Sequence, residues 1–577
     1  MRLKIKIIIS VLCSIFILSQ VAFAQPVPSA AKSGVVEKSI DEGMRQFKPT
    51  PKKEEPISEL EVPMKEMQPE AVPEGVKILV KQFAFNNNTI FSRQYLNELT
   101  KKYINKELTF KELKGVATLI TNEYRKDGYF LAKAYIPEQD VKFGIVLIDI
   151  IEGKLGEVIV EGGKFYKKKF NLEHFRPAVK GVINHQPLLK SLLILNEYPD
   201  LKVNAVLRKG KKPYCVDVVL KVEDKLPLHF AADYNNFGSR YVSRSRSGVS
   251  SEYTNLLFGG DKAYLRGVAG SPADNLGFVE GTYSLPINSY GTRLGFGYTW
   301  SEFDVQREFR KLDAGGHSEI YSLNLEHPLV RTLISDVNLT VGFDYKQIKN
   351  RILGEDSSND ELRVLKFGVS GSHLDKLSGR NYFSALFSQG IPDIMGGLKR
   401  NDPKASNSES GAGGEFSKGN FDLARYQKFI GDTFILIKGS AQLASDALPI
   451  PEQLSIGGAD TVRGYPQSEY LGDYGYIGNL ELRFYTPFIS NWRVPFTKKA
   501  TLKDFVQFAG FLDYGNVLRK NPAVGVNKHD EIVGAGIGAR FNITKDFTFR
   551  VDLGWPLGQE PSDGSNTQTN MQGILKF

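Results

Sequence analysis

The chain has very little cysteine, with only Cys13 and Cys215 in 577 residues. We predict below that Cys13 is removed with an export signal, which leaves Cys215 without a partner for a disulfide within the chain. A single cysteine in a strand is more often a small buried residue than a nucleophile or a metal ligand. The sequence therefore predicts neither a disulfide framework nor a thiol site.

Motifs of the common enzyme classes are also missing. The seven histidines form no His-x-x-x-His pair, and the chain has no Gly-x-Ser-x-Gly elbow and no phosphate-binding P-loop. Gly536-Ile537-Gly538 lacks the strand-turn-helix context of a dinucleotide site. Asp360-Glu361 falls in a predicted polar loop, where solvated charges are expected rather than a calcium site. We therefore predict no enzymatic activity, no cofactor and no metal.

Long apolar runs are absent except at the amino terminus. Residues 1–24 begin with three basic residues, continue through a mostly apolar run and end on Ala22-Phe23-Ala24, which is the pattern of a cleaved export signal. The alternative, a membrane-anchoring helix, is disfavoured because the run is too short to span a bilayer. Since the rest of the chain has no run of about 18 apolar residues, any membrane crossing must be made by strands.

Charge of one sign is not strongly in excess. The formal charge is +9, and loss of the three basic residues of the signal lowers it to +6. This balance is modest for a chain of this length and does not predict binding to nucleic acid.

Residues 25–75 are rich in proline, lysine and glutamate and contain one aromatic residue, Phe47. Such a segment cannot bury enough apolar surface to fold as a domain, so we predict a disordered linker. Within it, apolar residues near helical spacing from Val35 to Met44 predict a short amphipathic helix over 34–47. Solvated disorder is the alternative for these residues too.

A repeat of about 75 residues begins near residue 76. The first unit is predicted to have a strand, two helices and two strands, at 76–85, 92–106, 109–127, 132–136 and 143–152. The second unit repeats this order at 158–161, 172–179, 187–197, 202–208 and 214–223. We therefore predict two α+β domains, at 76–153 and 154–225. An open edge strand in such a sheet would accept an extended polypeptide; the alternative is that the units are spacers.

The remaining residues, 226–577, consist of short alternating stretches separated by turns. In 547–555 every odd position is apolar and every even position is polar or small. We count about 16 such stretches, as in an outer-membrane barrel. A half-buried soluble sheet alternates in the same way, but the export signal and the number of stretches favour the barrel. The predicted fold is an all-β transmembrane barrel of 16 antiparallel strands preceded by two α+β domains.

The connections between these stretches orient the predicted barrel. Long polar insertions are predicted at alternate connections, after Glu302, Asn350, Pro392 and Ser445. Outer-membrane barrels have long loops outside the cell and short turns in the periplasm, so both termini are predicted to be periplasmic. The last strand must close against the first, predicted at 228–236, because an open edge in hydrocarbon would leave backbone groups unpaired.

The insertion at 445–475 contains one arginine held between glycines, in Ile-Gly-Gly-Ala-Asp-Thr-Val-Arg-Gly-Tyr at 456–465. The guanidinium of Arg463 needs an acceptor that fixes it. Downstream, the alternation of Phe511-Leu512-Asp513-Tyr514-Gly515 sets Asp513 opposite the apolar face. We therefore predict a two-pronged, charge-assisted hydrogen bond between Arg463 and Asp513.

The two motifs resemble those of a known family, the haemolysin-activator-like outer-membrane transporters of two-partner secretion. The superfamily consists of barrels that carry POTRA domains and also includes the barrel-assembly insertases. The resemblance rests on Val462, Arg463, Gly464 and Tyr465 of the loop and on Phe511, Asp513 and Gly515 of the later strand. It implies that the repeats are POTRA domains and that the loop folds into the barrel between the eleventh and twelfth strands. It also implies that Arg463 pairs with Asp513 on the thirteenth strand and that the helix at 34–47 plugs the barrel.

The function implied by this resemblance is protein secretion. The POTRA domains would bind an unfolded exoprotein in the periplasm, and the barrel would pass it across the outer membrane. The terminal Phe577 resembles that of other outer-membrane barrels and implies recognition by the barrel-assembly machinery. We expect contact with outer-membrane lipid and function as a monomer. The alternatives are an insertase, which usually carries more POTRA units, and a porin, which needs neither POTRA domains nor the Arg463 motif.

Overall fold

The computed structural model describes residues 27–45, 77–175, 180–485 and 501–577. The predicted export signal at 1–24 and most of the predicted linker lie outside these residues. None of the helices in the described ranges has the length and apolarity needed to cross a membrane. The same ranges contain no cluster of His, Cys, Asp and Glu that would hold a metal ion.

The first helix, α1 (Ser33–Arg45), follows a short 3-10 turn at Ser29–Ala31. It begins one residue before the predicted helix, and the predicted end at residue 47 lies outside the described residues.

The first α+β domain contains five strands and two helices. The strands are β1 (Lys77–Val80), β2 (Gln82–Asn86), β3 (Lys106–Thr109), β4 (Lys133–Tyr135) and β5 (Ile145–Ile151), and the helices are α2 (Arg93–Thr100) and α3 (Phe110–Lys126). Helix α3 begins at a capping box, in which Thr109 and Glu112 each satisfy the backbone N–H of the other. The prediction of a single strand at 76–85 is wrong, because the strand breaks at Lys81 and β1 pairs with β3. The sequence prediction missed β3, since four residues are too few to show an alternation.

The second α+β domain repeats the sheet of the first. Its elements are β6 (Lys154–Gly162), α4 (Lys168–Phe175), α5 (His185–Asn196), β7 (Leu201–Lys209) and β8 (Cys215–Asp224). The sheet order is β6-β8-β7, with β6 parallel and β7 antiparallel to β8. In the first domain the order is β2-β5-β4 with the same directions. The structure thus contains the predicted repeat of α+β domains.

Sixteen strands, β9–β19 and β22–β26, form a closed antiparallel barrel, which confirms the predicted fold class. The strands are β9 (Leu228–Asn235), β10 (Arg246–Thr254), β11 (Lys262–Gly270), β12 (Leu276–Pro286), β13 (Arg293–Asp304), β14 (Gly315–Arg331), β15 (Ser335–Ile352), β16 (Glu355–Leu374), β17 (Arg380–Gly390), β18 (Phe416–Lys428), β19 (Phe434–Ala444), β22 (Tyr474–Phe484), β23 (Val506–Leu518), β24 (His529–Asn542), β25 (Phe547–Pro556) and β26 (Gln568–Lys576). The short helix α6 (Leu502–Phe505) precedes β23. As predicted, the last strand closes on the first, with pairs from Gln572–Asn235 to Lys576–Ala231.

The barrel has an apolar outer face and a polar inner face. Exposed apolar side chains alternate along the strands with buried polar ones: on β23, Leu512 is 47% exposed whereas Asp513 is fully buried. This distribution is the reverse of that in a soluble protein, because the outer face contacts lipid. Other outward residues on different strands are Phe230, Val249, Leu265, Phe296, Leu323, Phe367, Leu423 and Ile537.

The prediction of a polar insertion after Asn350 is wrong. Strands β15 and β16 instead continue into a long hairpin closed by Leu353 and Gly354, which both have the positive φ of a tight two-residue turn. Asp360, predicted to lie in a solvated loop, is buried on β16 and accepts a hydrogen bond from the Ser406 backbone N–H at 2.8 Å. A hairpin beyond the bilayer needs no apolar face, so its polar composition resembles that of a loop.

The second α+β domain docks against the periplasmic turns of the barrel. Arg331, the last residue of β14, forms an ion pair with Glu197, and His229 Nε2 on β9 lies 2.5 Å from Asp200 Oδ2. The guanidinium of Arg293 lies 5.6 Å from the centre of the Tyr198 ring. Charged and aromatic contacts at three separate strands therefore orient this domain on the barrel.

Candidate functional site in the barrel lumen

The loop between β19 and β22 folds into the barrel. It contains a small hairpin, β20 (Leu454–Ile456) and β21 (Tyr470–Gly472), which carries the Arg463 motif at its tip. Apolar side chains of the loop pack on inward residues of the wall, in a cluster of Ile456, Val462, Tyr465, Ile477, Val517 and Ile532. The loop follows the eleventh barrel strand and Asp513 lies on the thirteenth, so the structure has the strand count of the prediction.

The tip of this loop lies flat on β24 and β25 because glycines there leave room for it. A Cβ atom at Gly534 would lie 1.9 Å from the Arg463 carbonyl oxygen. Gly464 has φ of +108°, and a Cβ on it would lie 2.7 Å from the Trp555 carbonyl carbon. Only glycine fits both the backbone conformation and the contact.

Arg463 and Asp513 meet in a bidentate pair. Arg463 Nε lies 2.7 Å from Asp513 Oδ2, and its Nη2 lies 2.9 Å from Oδ1. The Arg463 backbone N–H donates to the same carboxylate at 3.1 Å. Arg463 is 6% exposed and Asp513 is fully buried. Paired, charge-assisted hydrogen bonds of this kind fix both position and orientation of the guanidinium.

Further charged groups extend the network around Arg463. Its Nη1 donates to Glu481 Oε2 at 2.5 Å, and Glu481 also accepts from Arg540 at 3.3 Å. Arg540 Nη1 donates in turn to Asp552 Oδ1 at 2.6 Å. These groups lie on β22, β24 and β25 and were not predicted from the sequence. The available signal was an inward-facing charged position on each strand beside the Asp513 strand, β22 and β24, and on β25 next to β24.

The remaining residues of the two motifs shape the cradle. The Phe511 ring lies under the guanidinium, with 3.5 Å between its centre and Arg463 Cζ, a cation–π contact that adds to the ion pairs. Gly515 makes room for Val462, whose Cγ2 would lie 2.8 Å from a Cβ there. The Tyr465 hydroxyl donates to the Gln559 carbonyl at 2.8 Å. The structure therefore brings all seven predicted site residues together.

A second anchor holds the loop to other wall strands. Glu452, in the 3-10 turn Ile450–Glu452, lies between Lys346 of β15 and Lys418 of β18, at 2.7 Å and 2.5 Å. Burial alone would raise the pKa of the Glu452 carboxyl, but the ammonium groups around it hold that pKa well below its ordinary value. The sequence analysis did not identify this cluster.

Helix α1 also lies in the lumen, between the loop and the wall. Val36 and Ile40 pack in a cluster that includes Val268 of β11 and Phe303 of β13. The Ser33 backbone N–H donates to Asn350 Oδ1 at 2.8 Å, and Arg246 Nη1 donates to Ser39 Oγ at 2.9 Å. Ser318 Oγ of β14 also donates to Glu37 Oε2 at 2.6 Å, so several hydrogen bonds and one apolar stripe join the helix to the inner wall.

The opposite side of α1 rests on the turn that carries Glu452. Val35 packs against Ile450 and Leu471, and Lys38 Nζ donates to the Gln453 carbonyl at 3.0 Å. Gly34 permits this contact, because a Cβ there would lie 2.4 Å from Pro451 Cβ. The helix and the loop therefore occupy the lumen together and contact each other directly.

Comparison with known proteins gives two matching family models. The model described as "Haemolysin secretion/activation protein ShlB/FhaC/HecB" matches residues 216–541, and "POTRA domain, ShlB-type" matches residues 78–153. The heme/hemopexin transporter protein HuxB of Haemophilus influenzae (strain 86-028NP) is 24% identical over 507 residues, or 86% of each chain. The outer membrane transporter CdiB of Dickeya dadantii is 21% identical over 499 residues, or 84% of each chain.

Two solved structures share the fold. CdiB from Escherichia coli has a TM-score of 0.72 and 19% identity, over 94% of this chain and 97% of that one. BamA from Haemophilus ducreyi, lacking POTRA domains 1–3, has a TM-score of 0.52 and 14% identity, over 87% of this chain and 100% of that one.

Proposed function

This chain belongs to the haemolysin secretion/activation protein family, and from that premise we propose how it passes its exoprotein partner through a barrel that is filled at rest. It is an outer-membrane transporter of two-partner secretion, with its barrel in the outer membrane and its POTRA domains in the periplasm. These findings support secretion over the insertase alternative. The family is one of transporters, and we propose that this chain has no enzymatic activity.

We propose that the loop is the fixed part of the lumen and that Arg463 is its anchor. The supporting observation is the bidentate pair with Asp513, reinforced by Glu481 and buried from solvent. Removal of one partner of a buried ion pair leaves an uncompensated charge and costs about 3–5 kcal/mol. A loop held this strongly lines the path of the exoprotein without leaving it.

The test is Arg463→Ala, for which we expect an inserted barrel that secretes less than about a tenth of the wild-type amount, as the cost of an unpaired buried charge implies. Secretion is measured as exoprotein in the medium, and folding as the heat-dependent shift of the barrel in gel mobility. The matched control is Arg483→Ala, because Arg483 also pairs with Glu481 but does not belong to the loop. Normal secretion by a folded Arg463→Ala barrel would show that the anchor is not needed.

We propose that helix α1 is the removable plug. Its contacts are an apolar stripe and single hydrogen bonds to the wall and to the loop. A hydrogen bond contributes about 0.5–1.5 kcal/mol, or about 1.5–3 kcal/mol where one partner is charged, as with Arg246 and Lys38, whereas breaking one partner of a buried ion-pair network costs about 3–5 kcal/mol. Of the two obstructions, the helix is therefore the one that leaves when the exoprotein enters.

We propose that the POTRA domains capture the exoprotein unfolded, by strand addition. Strand β6 of the second domain, nine residues long, pairs on one side with β8 in seven residue pairs, and its other edge has a single bridge, Lys154–Val182, among the described residues. A partly free edge of this length offers main-chain donors and acceptors to an extended segment. Folded exoprotein has no such free strand to offer.

Deletion of residues 76–152 is expected to abolish secretion while the barrel still inserts, because the first capture domain is lost. Leu131 packs into the core of the second domain, so limited proteolysis must show that the second domain stays folded. A control in which an unrelated domain of similar size replaces residues 76–152 separates capture from spacing. Rescue of secretion by this replacement would contradict capture and favour the spacer alternative.

We propose two further properties of the assembled protein. Phe577 is 71% exposed, and its backbone N–H donates to the Phe230 carbonyl at 2.8 Å. Its side chain is therefore accessible at the barrel seam as the signal for the barrel-assembly machinery. Because the closed barrel encloses a complete lumen, we propose that one copy suffices for secretion.

A further inference from the structure

The turn between β10 and β11 presents three consecutive large apolar side chains to the outside. Leu256, Leu257 and Phe258 are 46%, 70% and 62% exposed. Most exposed apolar residues on a soluble surface occur singly, whereas a continuous group marks a contact surface. This group, residues 256–258, is called the apolar turn below.

The apolar turn is held by its own hydrogen bonds. The Asn255 backbone N–H donates to the Asp261 carbonyl at 2.8 Å, and Asn255 Oδ1 accepts from the Gly260 N–H at 2.8 Å. The buried Asp261 carboxylate accepts from the Leu257 N–H at 2.9 Å and from the Tyr283 hydroxyl at 2.6 Å. The fold thus fixes the turn in a conformation that keeps its apolar side chains outside.

The position of the apolar turn places it at the periplasmic surface of the outer membrane. Strand β9 leaves the second POTRA domain at Leu228, and this end of β9 pairs with Tyr253 at the end of β10. Val249 on β10 and Leu265 on β11 are 65% and 56% exposed on the lipid-facing side. The apolar turn therefore continues the lipid-contacting surface of β10 and β11 to the edge of the bilayer.

A group of lysines lies beside the apolar turn on the second POTRA domain. Lys164, Lys167, Lys168 and Lys169 are all exposed. Lys169 lies 3.6 Å from Glu173, and Lys164 lies over the Phe165 ring. Lys164, Lys167 and Lys168, without Lys169, are called the lysine group below.

Contacts between residues that flank the two groups hold the lysine group and the apolar turn next to each other. Asn255 Nδ2 donates to the Phe165 carbonyl at 3.1 Å. The Phe170 ring packs on Gly259, where a Cβ would lie 2.6 Å from the ring. Asp224 fixes the start of the segment by accepting from the Lys164 backbone N–H at 2.8 Å. Apolar and basic side chains are thus presented together by one ordered junction.

We propose that this junction is a membrane anchor for the second POTRA domain. The apolar turn inserts among the acyl chains of the periplasmic leaflet, and the lysine group binds the phosphates of anionic phospholipid headgroups. Proteins bind membrane surfaces through these two contributions, the insertion of apolar side chains and the attraction of basic residues to anionic lipid. The occupant is lipid because the surface is continuous with the lipid-facing barrel wall and its charge is opposite to that of such headgroups.

The first experiment measures insertion of the apolar turn in the full chain. Cys13 and Cys215 are replaced by serine, and Phe258→Cys carries a fluorophore in nanodiscs of phosphatidylethanolamine and phosphatidylglycerol. We expect quenching by lipid with a nitroxide on its acyl chain and protection from soluble iodide. Phe143→Cys is the matched control, because Phe143 is also an exposed phenylalanine, at 87%, but lies on the first POTRA domain. Quenching of position 258 by iodide alone would overturn the proposal, as would protection that appears only when exoprotein is added.

The second experiment measures lipid binding by the lysine group. Full-length protein in neutral detergent is titrated with phosphatidylglycerol, and bound lipid is counted by native mass spectrometry. For the variant Lys164→Gln, Lys167→Gln, Lys168→Gln we expect the affinity for phosphatidylglycerol to be at least about tenfold weaker, since each lysine near a membrane surface adds to the attraction for anionic lipid. The matched control is Lys209→Gln, Lys211→Gln, Lys212→Gln, which removes three exposed lysines at the far end of β7. Equal loss in both variants, or equal binding of phosphatidylcholine by the wild type, would overturn the proposal.

Discussion

Single residues set the strength with which the loop is held, through two buried ion-pair clusters on different parts of the wall. The Arg463 pair with Asp513 was predictable, because the motifs of the loop and the strand are both visible in the sequence. The Glu452 cluster was not predictable. It joins a turn to β15 and β18 across the lumen, and no spacing along the chain records a contact of this kind.

At this scale we predict that Glu452→Gln lowers the stability of the barrel. The change leaves the ammonium groups of Lys346 and Lys418 buried side by side without their carboxylate, at a cost of about 3–5 kcal/mol. The measurement is the midpoint temperature of the heat-induced shift in gel mobility. Glu415→Gln is the matched control, because Glu415 pairs with Arg400 at 3.4 Å in an exposed position, where ion pairs contribute about 0–1 kcal/mol. Equal midpoints for the two variants would show that the buried cluster does not stabilise the loop.

At the scale of whole elements, helix α1 is the part of the lumen that we propose to move. The amphipathic pattern from Val35 to Met44 predicted a helix that begins one residue from its observed start, since helical periodicity is a local property. The pattern did not predict which partners cover the helix, because the wall and the turn at Ile450–Glu452 approach from distant parts of the chain. Local periodicity therefore predicts an element, whereas its packing depends on the closed barrel.

For helix α1 we predict that Gly34→Leu opens the pore more often without unfolding the barrel. The added side chain has to occupy space held by Pro451, and overpacking of this kind costs about 1–3 kcal/mol. We expect larger and longer openings in planar bilayers, approaching those of a chain that lacks residues 25–47. The control is Gly439→Leu, because a Cβ at Gly439 meets no atom within 4 Å. Openings no more frequent than in the control would mean that contact between helix and loop does not gate the pore.

At the scale of the whole molecule, the barrel and the second POTRA domain are joined by contacts spread over the periplasmic turns. The sequence predicted each domain, because each has its own periodicity. It did not predict their relative orientation, which depends on pairs such as Glu197 with Arg331 and Tyr198 with Arg293. Nothing in the sequence distinguishes these side chains from other surface residues. They form a joint between the two domains only when both domains are folded.

We predict that the double variant Arg293→Ala, Arg331→Ala loosens this joint and reduces secretion. The measurement is the distribution of distances between spin labels on the second POTRA domain and on an outer loop of the barrel, which should broaden relative to the wild type. Arg380→Ala, Arg425→Ala is the matched control, since Arg425 pairs with Asp375 at another periplasmic turn. A distribution as narrow as that of the control would show that other contacts fix the orientation.

Helix α1 begins near the outer ends of the strands, where Ser33 contacts Asn350, whereas Lys77 begins a domain on the periplasmic side. The chain of the transporter therefore passes through its own barrel. During biogenesis the wall has to close around this segment or admit it afterwards, so assembly poses the same topological problem as secretion. The first polypeptide in the lumen is a segment of the transporter itself, and in the proposed mechanism every exoprotein displaces a segment with the same backbone chemistry as its own.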